Sequence, residues 1–200
     1  MIDPDQRDIV GSVIAALLPH PHVRAVELAG SRAAGSPTAL SDWDFRVRVD
    51  DFAAVAADLP ALVTPLEPLA QQWDRLNPES CYMLMLAGPA KIDLIFDQPH
   101  QDEAPWTVTA DTLPRIDEHF WDWILWIASK QVAGKDHLVR RELGKMSRHL
   151  LGPVGVEGVP RSIRAAVREY RGARDCWESR LGVAVPRRLE VEVEPALSHS

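Results

Sequence analysis

The sequence predicts an α/β (α+β) fold that ends in a C-terminal helical bundle, and three observations carry that expectation. Apolar residues alternate at period two in several short segments between residues 23 and 96. From Asp111 onward they recur at three- and four-residue spacings instead. Between the two regimes lies Pro99–Pro105, a proline-bounded break expected to be a linker. With 200 residues the chain is one domain of ordinary size, or one compact domain with a helical appendage, and has no room for several independent cores.

Taken in order, Asp5–His20 places Ile9, Val10, Val13, Ile14, Leu17 and Leu18 on one stripe, which reads as an amphipathic helix ended by Pro19 and Pro21. Val23–Ala29 reads as a short strand with Val26 and Leu28 inward, halted by Gly30-Ser31. Ser31–Ser41 is small and polar, with Gly35 and Pro37, and is expected as a loop. Asp42–Val49 alternates strictly: Trp43, Phe45, Val47 and Val49 share one face, and Asp42, Asp44, Arg46 and Arg48 the other. Phe52–Leu59 is alanine-rich and reads as a short helix, while Leu66–Leu76 fits no single period.

Cys81–Leu86 and Lys91–Phe96, joined by Ala87-Gly88-Pro89-Ala90, read as a hairpin. In its second arm Lys91, Asp93 and Ile95 face one way and Ile92, Leu94 and Phe96 the other. Beyond the break, Asp111–Gln131, Lys135–Leu151 and Arg161–Leu181 read as three helices. Trp121, Leu125 and Trp126 widen the apolar stripe of the first until it should be largely buried. The chain from Pro186 reads as a loose tail.

Composition narrows the possible functions. The chain is 46% hydrophobic and 26% charged, and no uninterrupted apolar run is long enough to cross a bilayer, so membrane-spanning and wholly disordered readings are set aside. The acidic start has no basic stretch ahead of an apolar one, so no secretory signal is marked and a cytoplasmic location is expected. Cys81 and Cys176 lie far apart and form neither a disulfide framework nor a zinc pattern, so both are read as reduced and structural. The net charge of −7 is uneven: residues 1–100 carry seven Lys/Arg against fourteen Asp/Glu, whereas 135–188 hold thirteen Lys/Arg against six Asp/Glu. Such asymmetry fits a nucleic-acid partner, or two parts of one molecule that share a multivalent ligand.

The chemistry-bearing pattern is Gly30-Ser31, then ten residues, then Asp42-Trp43-Asp44, with Asp93 far downstream. Two carboxylates one residue apart on a strand project from the same face at about 6.5–7 Å. A third acid on a neighbouring strand would complete an oxygen-rich site that hard divalent cations stabilise, and Mg²⁺ fits. A Gly-Ser turn after a strand offers backbone N–H groups and a hydroxyl to phosphate oxygens.

Leu28-Ala29-Gly30-Ser31-Arg32-Ala33-Ala34-Gly35, followed by Ser41-Asp42-Trp43-Asp44-Phe45, resembles the signature of the nucleotidyltransferase superfamily of DNA polymerase beta-like fold. The resemblance is nearest to bacterial antibiotic (aminoglycoside and lincosamide) nucleotidyltransferases and to minimal nucleotidyltransferases. It covers residues 23–49 and, more weakly, 91–97. It implies a small mixed β-sheet flanked by helices; joined to the change of period along the chain, the reading is a nucleotidyltransferase catalytic domain over 1–100, a helical domain over 106–185 that closes one side of the site, and a flexible tail over 186–200. It also implies two Mg²⁺ ions, ATP or another nucleoside triphosphate, and transfer of a nucleoside monophosphate to a hydroxyl with release of pyrophosphate.

Carried onto this chain, Gly30 and Ser31 hold the β/γ-phosphates, Asp42 and Asp44 ligate metal, and Asp93 is the third carboxylate, as ligand or as base. Glu79 and Asp97 stay open for the role of Asp93. The basic segment is expected to supply cations to the triphosphate, with Lys130, Lys135, Arg140 and Arg141 foremost and Arg32 in the loop as another. Arg46 and Arg48 either pair with acids or contact phosphate. Arg161, Arg164, Arg168 and Arg171 line one helix side and read as a solvated face, so nucleic acid is not expected as a partner, nor is a membrane. Phe120, Trp121, Trp123 and Trp126 are expected as helix core with one ring left for the pocket. The histidines show no ligand spacing. The expected acceptor is a small hydroxylated, cationic molecule such as an aminoglycoside. The alternatives are adenylylation of a partner protein, as for an antitoxin, and a catalytically idle nucleotide-binding module.

Overall fold

The period-two segments form strands β1 (Val23–Leu28), β2 (Trp43–Val49), β3 (Ala70–Trp73), β4 (Glu79–Leu86) and β5 (Ala90–Pro99) in the computed structural model, which describes residues 4–99 and 106–197. They make one mixed sheet in the order β1-β2-β5-β4-β3, with β2 and β5 parallel and the other neighbours antiparallel. Helices α1 (Pro4–Leu17), α2 (Gly30–Ala33) and α3 (Phe52–Leu62) complete this part. The fold is thus mixed α/β, as expected. The stretch Leu66–Leu76, which fits no period, ends a short 3₁₀ turn at Thr64–Leu66 and then supplies the edge strand β3. Its pairing with β4 is reinforced by the Tyr82 hydroxyl, which donates to Gln71 Oε1 at 3.0 Å.

The apolar face of β2, with Phe45 and Val47, meets Ile92, Leu94 and Phe96 of β5, Leu84 of β4, Val13 and Leu17 of α1, and Val55 and Leu59 of α3 in one buried cluster. Edge-on ring contacts of Phe52 with Trp73 and Phe96, and of Trp73 with Tyr82, close its β3 side. The described residues divide into two compact units. One is this α/β unit, which runs to Pro37 and resumes at Asp42; the other comprises Thr38–Ser41 and the helical part of the chain. The expected linker lies, past Pro99, outside the described residues.

The helical unit contains α4 (Leu113–Val132), α5 (Asp136–Met146), a π-helical turn over Ser147–Leu151, α6 (Ile163–Leu181) and α7 (Arg188–Leu197). As its wide stripe predicts, α4 is largely buried, including Trp121, Trp123 and Leu125, while Trp126 is half-buried. Phe120 stacks on Tyr170 with ring centres 3.8 Å apart. The expectation of a loose tail is corrected: α7 buries Leu189 and Val193 four residues apart, and Glu190 and Glu194 reach Arg171 at 2.8 and 2.9 Å. Arg164, Arg168 and Arg171 of the basic stripe, with Ile163 and Val167, line an open cleft of about 630 Å³ in this unit. Cys81 is buried, Cys176 exposed, and neither is bridged. No described helix is long and apolar enough to cross a membrane.

Inside the helical unit sits a buried charge network. Arg174 donates to Asp117 Oδ1 at 3.1 Å and to Glu190 Oε2 at 2.6 Å, and the Tyr170 hydroxyl donates to the same Asp117 oxygen at 2.9 Å. Burial raises the Asp117 carboxyl even though Arg174 lowers it. Arg174→Leu, which strands Asp117 and Glu190 without that cation, is expected to cost about 3–5 kcal/mol, read as a lower urea midpoint. Next to it, burial and then the charge of Asp117 push the Glu118 carboxyl up to about 7. The folded chain therefore holds that proton more tightly than the unfolded one, and stability falls as pH rises from the ordinary glutamate range through this value. Glu118→Gln should melt higher than the parent at about pH 8 and alike at about pH 4; equal melting at both would show that Glu118 titrates normally.

Candidate active site

The acids converge because of strand register. In the parallel pair Trp43, Phe45 and Val47 of β2 lie beside Ile92, Leu94 and Phe96 of β5, all buried, and this sets Asp44 beside Asp93 on the opposite face. Asp42 sits one residue ahead of β2. One carboxylate oxygen from each of Asp42, Asp44 and Asp93 lies within 4.8 Å of the other two. Asp42 and Asp93 are buried and Asp44 half-buried. Burial is the main cause that raises the Asp93 carboxyl, with the charges of Asp42 and Asp74 adding to it, and Lys91 opposing it.

Lys91 is the residue that sequence reasoning left without a role. Its Nζ donates to Asp93 Oδ1 at 2.5 Å, and its side chain is 7% exposed. The available signal was the i, i+2 spacing that puts both on one strand face. That spacing becomes a buried ion pair only because this face of β5 is covered, and no local pattern shows cover.

Gly30 supplies the close approach. It opens α2 directly after β1 with φ +64°, and a Cβ there would lie 1.9 Å from Asp44 Oδ2. The Ala29 N–H donates to the Asp44 carbonyl at 2.7 Å, so the β1–β2 pairing runs right up to the turn. A left-handed backbone and an oxygen in van der Waals overlap with any side chain both require glycine at this position. Ser31, half-buried, follows in α2. Arg32 Nε donates to the Asp42 carbonyl at 3.0 Å, and its guanidinium lies 3.8 Å from the Trp43 ring centre. Burial lowers the Arg32 pKa while Asp42 and Asp44 raise it, and the guanidinium stays charged beside the acids.

The remaining candidates separate cleanly. Arg46 reaches Glu79 at 2.5 Å and Asp97 at 3.4 Å, and Arg48 reaches Glu27 at 2.5 Å, so both strand arginines pair with acids. Glu79 and Asp97, the open alternatives for the third carboxylate, are bound up in that Arg46 pairing, whereas Asp93 stands with Asp42 and Asp44. Lys130 and Lys135 belong to the helical unit: Lys130 Nζ lies 4.6 Å from the Trp126 ring centre, and the Lys135 N–H donates to the Lys130 carbonyl at 2.9 Å. Arg140 and Arg141 follow in α5, with Arg141 at 3.2 Å from Glu142.

No family model matches the chain, and no curated protein matches it. Among solved structures it is similar to an aminoglycoside 6-adenyltransferase from Bacillus subtilis, at 13% identity over 95% of this chain and 97% of that one, with a TM-score of 0.33. It is also similar to a cytoplasmic RNA terminal U-transferase, at 15% identity over 62% of this chain and 37% of that one, with a TM-score of 0.39. A third is the CD-NTase CdnG of Bradyrhizobium diazoefficiens in complex with GTP, at 14% identity over 88% and 69%, with a TM-score of 0.34.

Gly30→Ala adds a methyl group at a left-handed position and forces Asp44 aside. The expected cost is about 1–2 kcal/mol, measured by urea unfolding. A midpoint equal to the parent's would mean that Asp44 has room to move.

Proposed function

We propose that this protein is a nucleotidyltransferase that moves AMP from ATP to a hydroxyl of a small molecule such as an aminoglycoside-like antibiotic, with release of pyrophosphate. The observation that supports this most strongly is the convergence of Asp42, Asp44 and Asp93 within 4.8 Å, beside a glycine turn that admits no side chain. Such a donor set consists only of carboxylate oxygens, the ligands that Mg²⁺ prefers, and the mutual repulsion of its acids favours a cation among them. The three carboxylates fit a divalent metal site, and the proposal is that Asp42, Asp44 and Asp93 would hold Mg²⁺ there, as two ions. When bound, such ions act as Lewis acids toward the phosphoryl group and the attacking oxygen.

The chain's own residues would do the rest. Gly30 brings the backbone close enough for phosphate oxygens, and the Ser31 hydroxyl and N–H donate to them. Arg32, anchored on Trp43 and on the Asp42 carbonyl, keeps Asp42 in place and adds positive charge. In the transfer the acceptor oxygen bonds to the α-phosphorus, the bond from that phosphorus to its bridging oxygen breaks, and pyrophosphate leaves. The hydroxyl proton passes to Asp93, the third carboxylate of the cluster. This work needs an ATP-containing compartment, which supports a cytoplasmic location.

The test is purified protein with MgATP and a panel of aminoglycosides and lincosamides, followed for pyrophosphate and for an acceptor heavier by one adenylyl group (AMP less water). Asp42→Asn and Asp44→Asn should each lower pyrophosphate release roughly a thousandfold or more, with the circular dichroism spectrum unchanged. Absence of pyrophosphate and of product across the whole panel would remove the small-molecule acceptor, and label on a co-purifying protein would replace it with a protein acceptor.

A further inference from the structure

The Asp93 carboxylate is claimed twice. It completes the acidic cluster with Asp42 and Asp44, and its Oδ1 accepts from Lys91 Nζ at 2.5 Å. Both side chains are close to nine-tenths buried, with 7% of Lys91 and 11% of Asp93 exposed, so water screens the contact poorly. An ammonium at hydrogen-bond distance and a divalent cation on the same carboxylate would repel each other strongly in such surroundings. Lys91 is also tethered two residues from Asp93 on the same strand face, so its charge always stays near the acids.

We infer that the Lys91 ammonium is a built-in counter-ion that competes with divalent metal for Asp93 and thereby sets the metal affinity of the site. This rests on the reading that Asp42, Asp44 and Asp93 hold metal. Two consequences follow from charge balance. The three acids stay folded together without relying on metal, because Lys91 adds a positive charge at Asp93 to that of Arg32 beside Asp42. Metal also binds weakly alone and better with a triphosphate, whose negative charge offsets the ammonium. Lys91 is therefore a positioning residue that favours loading of the metal–nucleotide complex over bare metal.

The experiment is Mn²⁺ titration of the full chain, with free Mn²⁺ counted by electron paramagnetic resonance, for the parent, Lys91→Met and Lys91→Arg. Without nucleotide, Lys91→Met should bind Mn²⁺ about tenfold more tightly than the parent, and Lys91→Arg should stay near it. The gap should shrink with a non-hydrolysable ATP analogue present. In EDTA Lys91→Met should melt below the parent, and Mn²⁺ should raise its melting temperature by more than it raises the parent's. A merely structural lysine would lower melting in both conditions and leave the Mn²⁺ affinity alone. If the parent binds Mn²⁺ and Lys91→Met binds it within about twofold, or more weakly, the counter-ion role is wrong while the metal site stands. If no variant binds Mn²⁺, the metal site itself is wrong and this inference falls with it. Should Lys91→Met not fold, Lys91→Gln, which still donates to Asp93 without a charge, replaces it with the same expected outcomes.

Discussion

Everything in the site depends on the parallel register of β2 against β5. The register is set by what lies on the far side of the sheet: Trp43, Phe45 and Val47 alternate into the core beside Ile92, Leu94 and Phe96, each burial worth about 2 kcal/mol. A slip of one residue would turn that whole set outward. On the near side the same register presses Asp44 against Asp93 with Asp42 close by, and each carboxylate pair at such a separation repels by about 1–4 kcal/mol, depending on how much water screens it. Attraction on one face and repulsion on the other are of the same order. The acids are thus held by packing, and they need positive charge to be held comfortably.

Positive charge comes from two sides. Lys91 supplies it from within β5, against Asp93, and Arg32 supplies it from the α2 turn, through Trp43 and the Asp42 carbonyl. Between them Gly30 leaves space that no other residue would leave, and Asp44 occupies it. Backbone conformation, ring stacking and ion pairing in this small region therefore serve one end, which is to keep three oxygens near one another on a rigid strand pair. A group-transfer centre gains from that rigidity because its charges are placed before substrate arrives.

What was legible in the sequence was whatever is local. Strict alternation over Asp42–Val49 and the wide apolar stripe of α4 follow from spacing along the chain and are found as β2 from Trp43 and as a buried helix, whereas the first residues of the expected loop Ser31–Ser41 belong to α2. What was not legible depends on distant partners. β3 carries Gln71 and Gln72 at its centre and becomes a strand only because β4 offers it an edge. α7 was hidden by Pro186 and Pro195, yet the four-residue spacings of Leu189 with Val193 and Glu190 with Glu194 match the buried side and Arg171. Which acid stands beside Asp42 and Asp44 also depends on partners distant in the chain: Asp93 lies with them, while Glu79 and Asp97 pair with Arg46. Lys91 escaped notice for the same reason: burial of its strand face is a property of the whole fold.

The proposed holding of metal by Asp42, Asp44 and Asp93 together, beside a nucleoside triphosphate, is tested by diffraction at the manganese absorption edge from crystals grown with Mn²⁺ and a non-hydrolysable ATP analogue. An anomalous peak is expected in coordination range of carboxylate oxygens from all three residues, with the triphosphate against the Gly30-Ser31 turn. Ordered nucleotide or manganese bound elsewhere, with these three acids untouched, would contradict it.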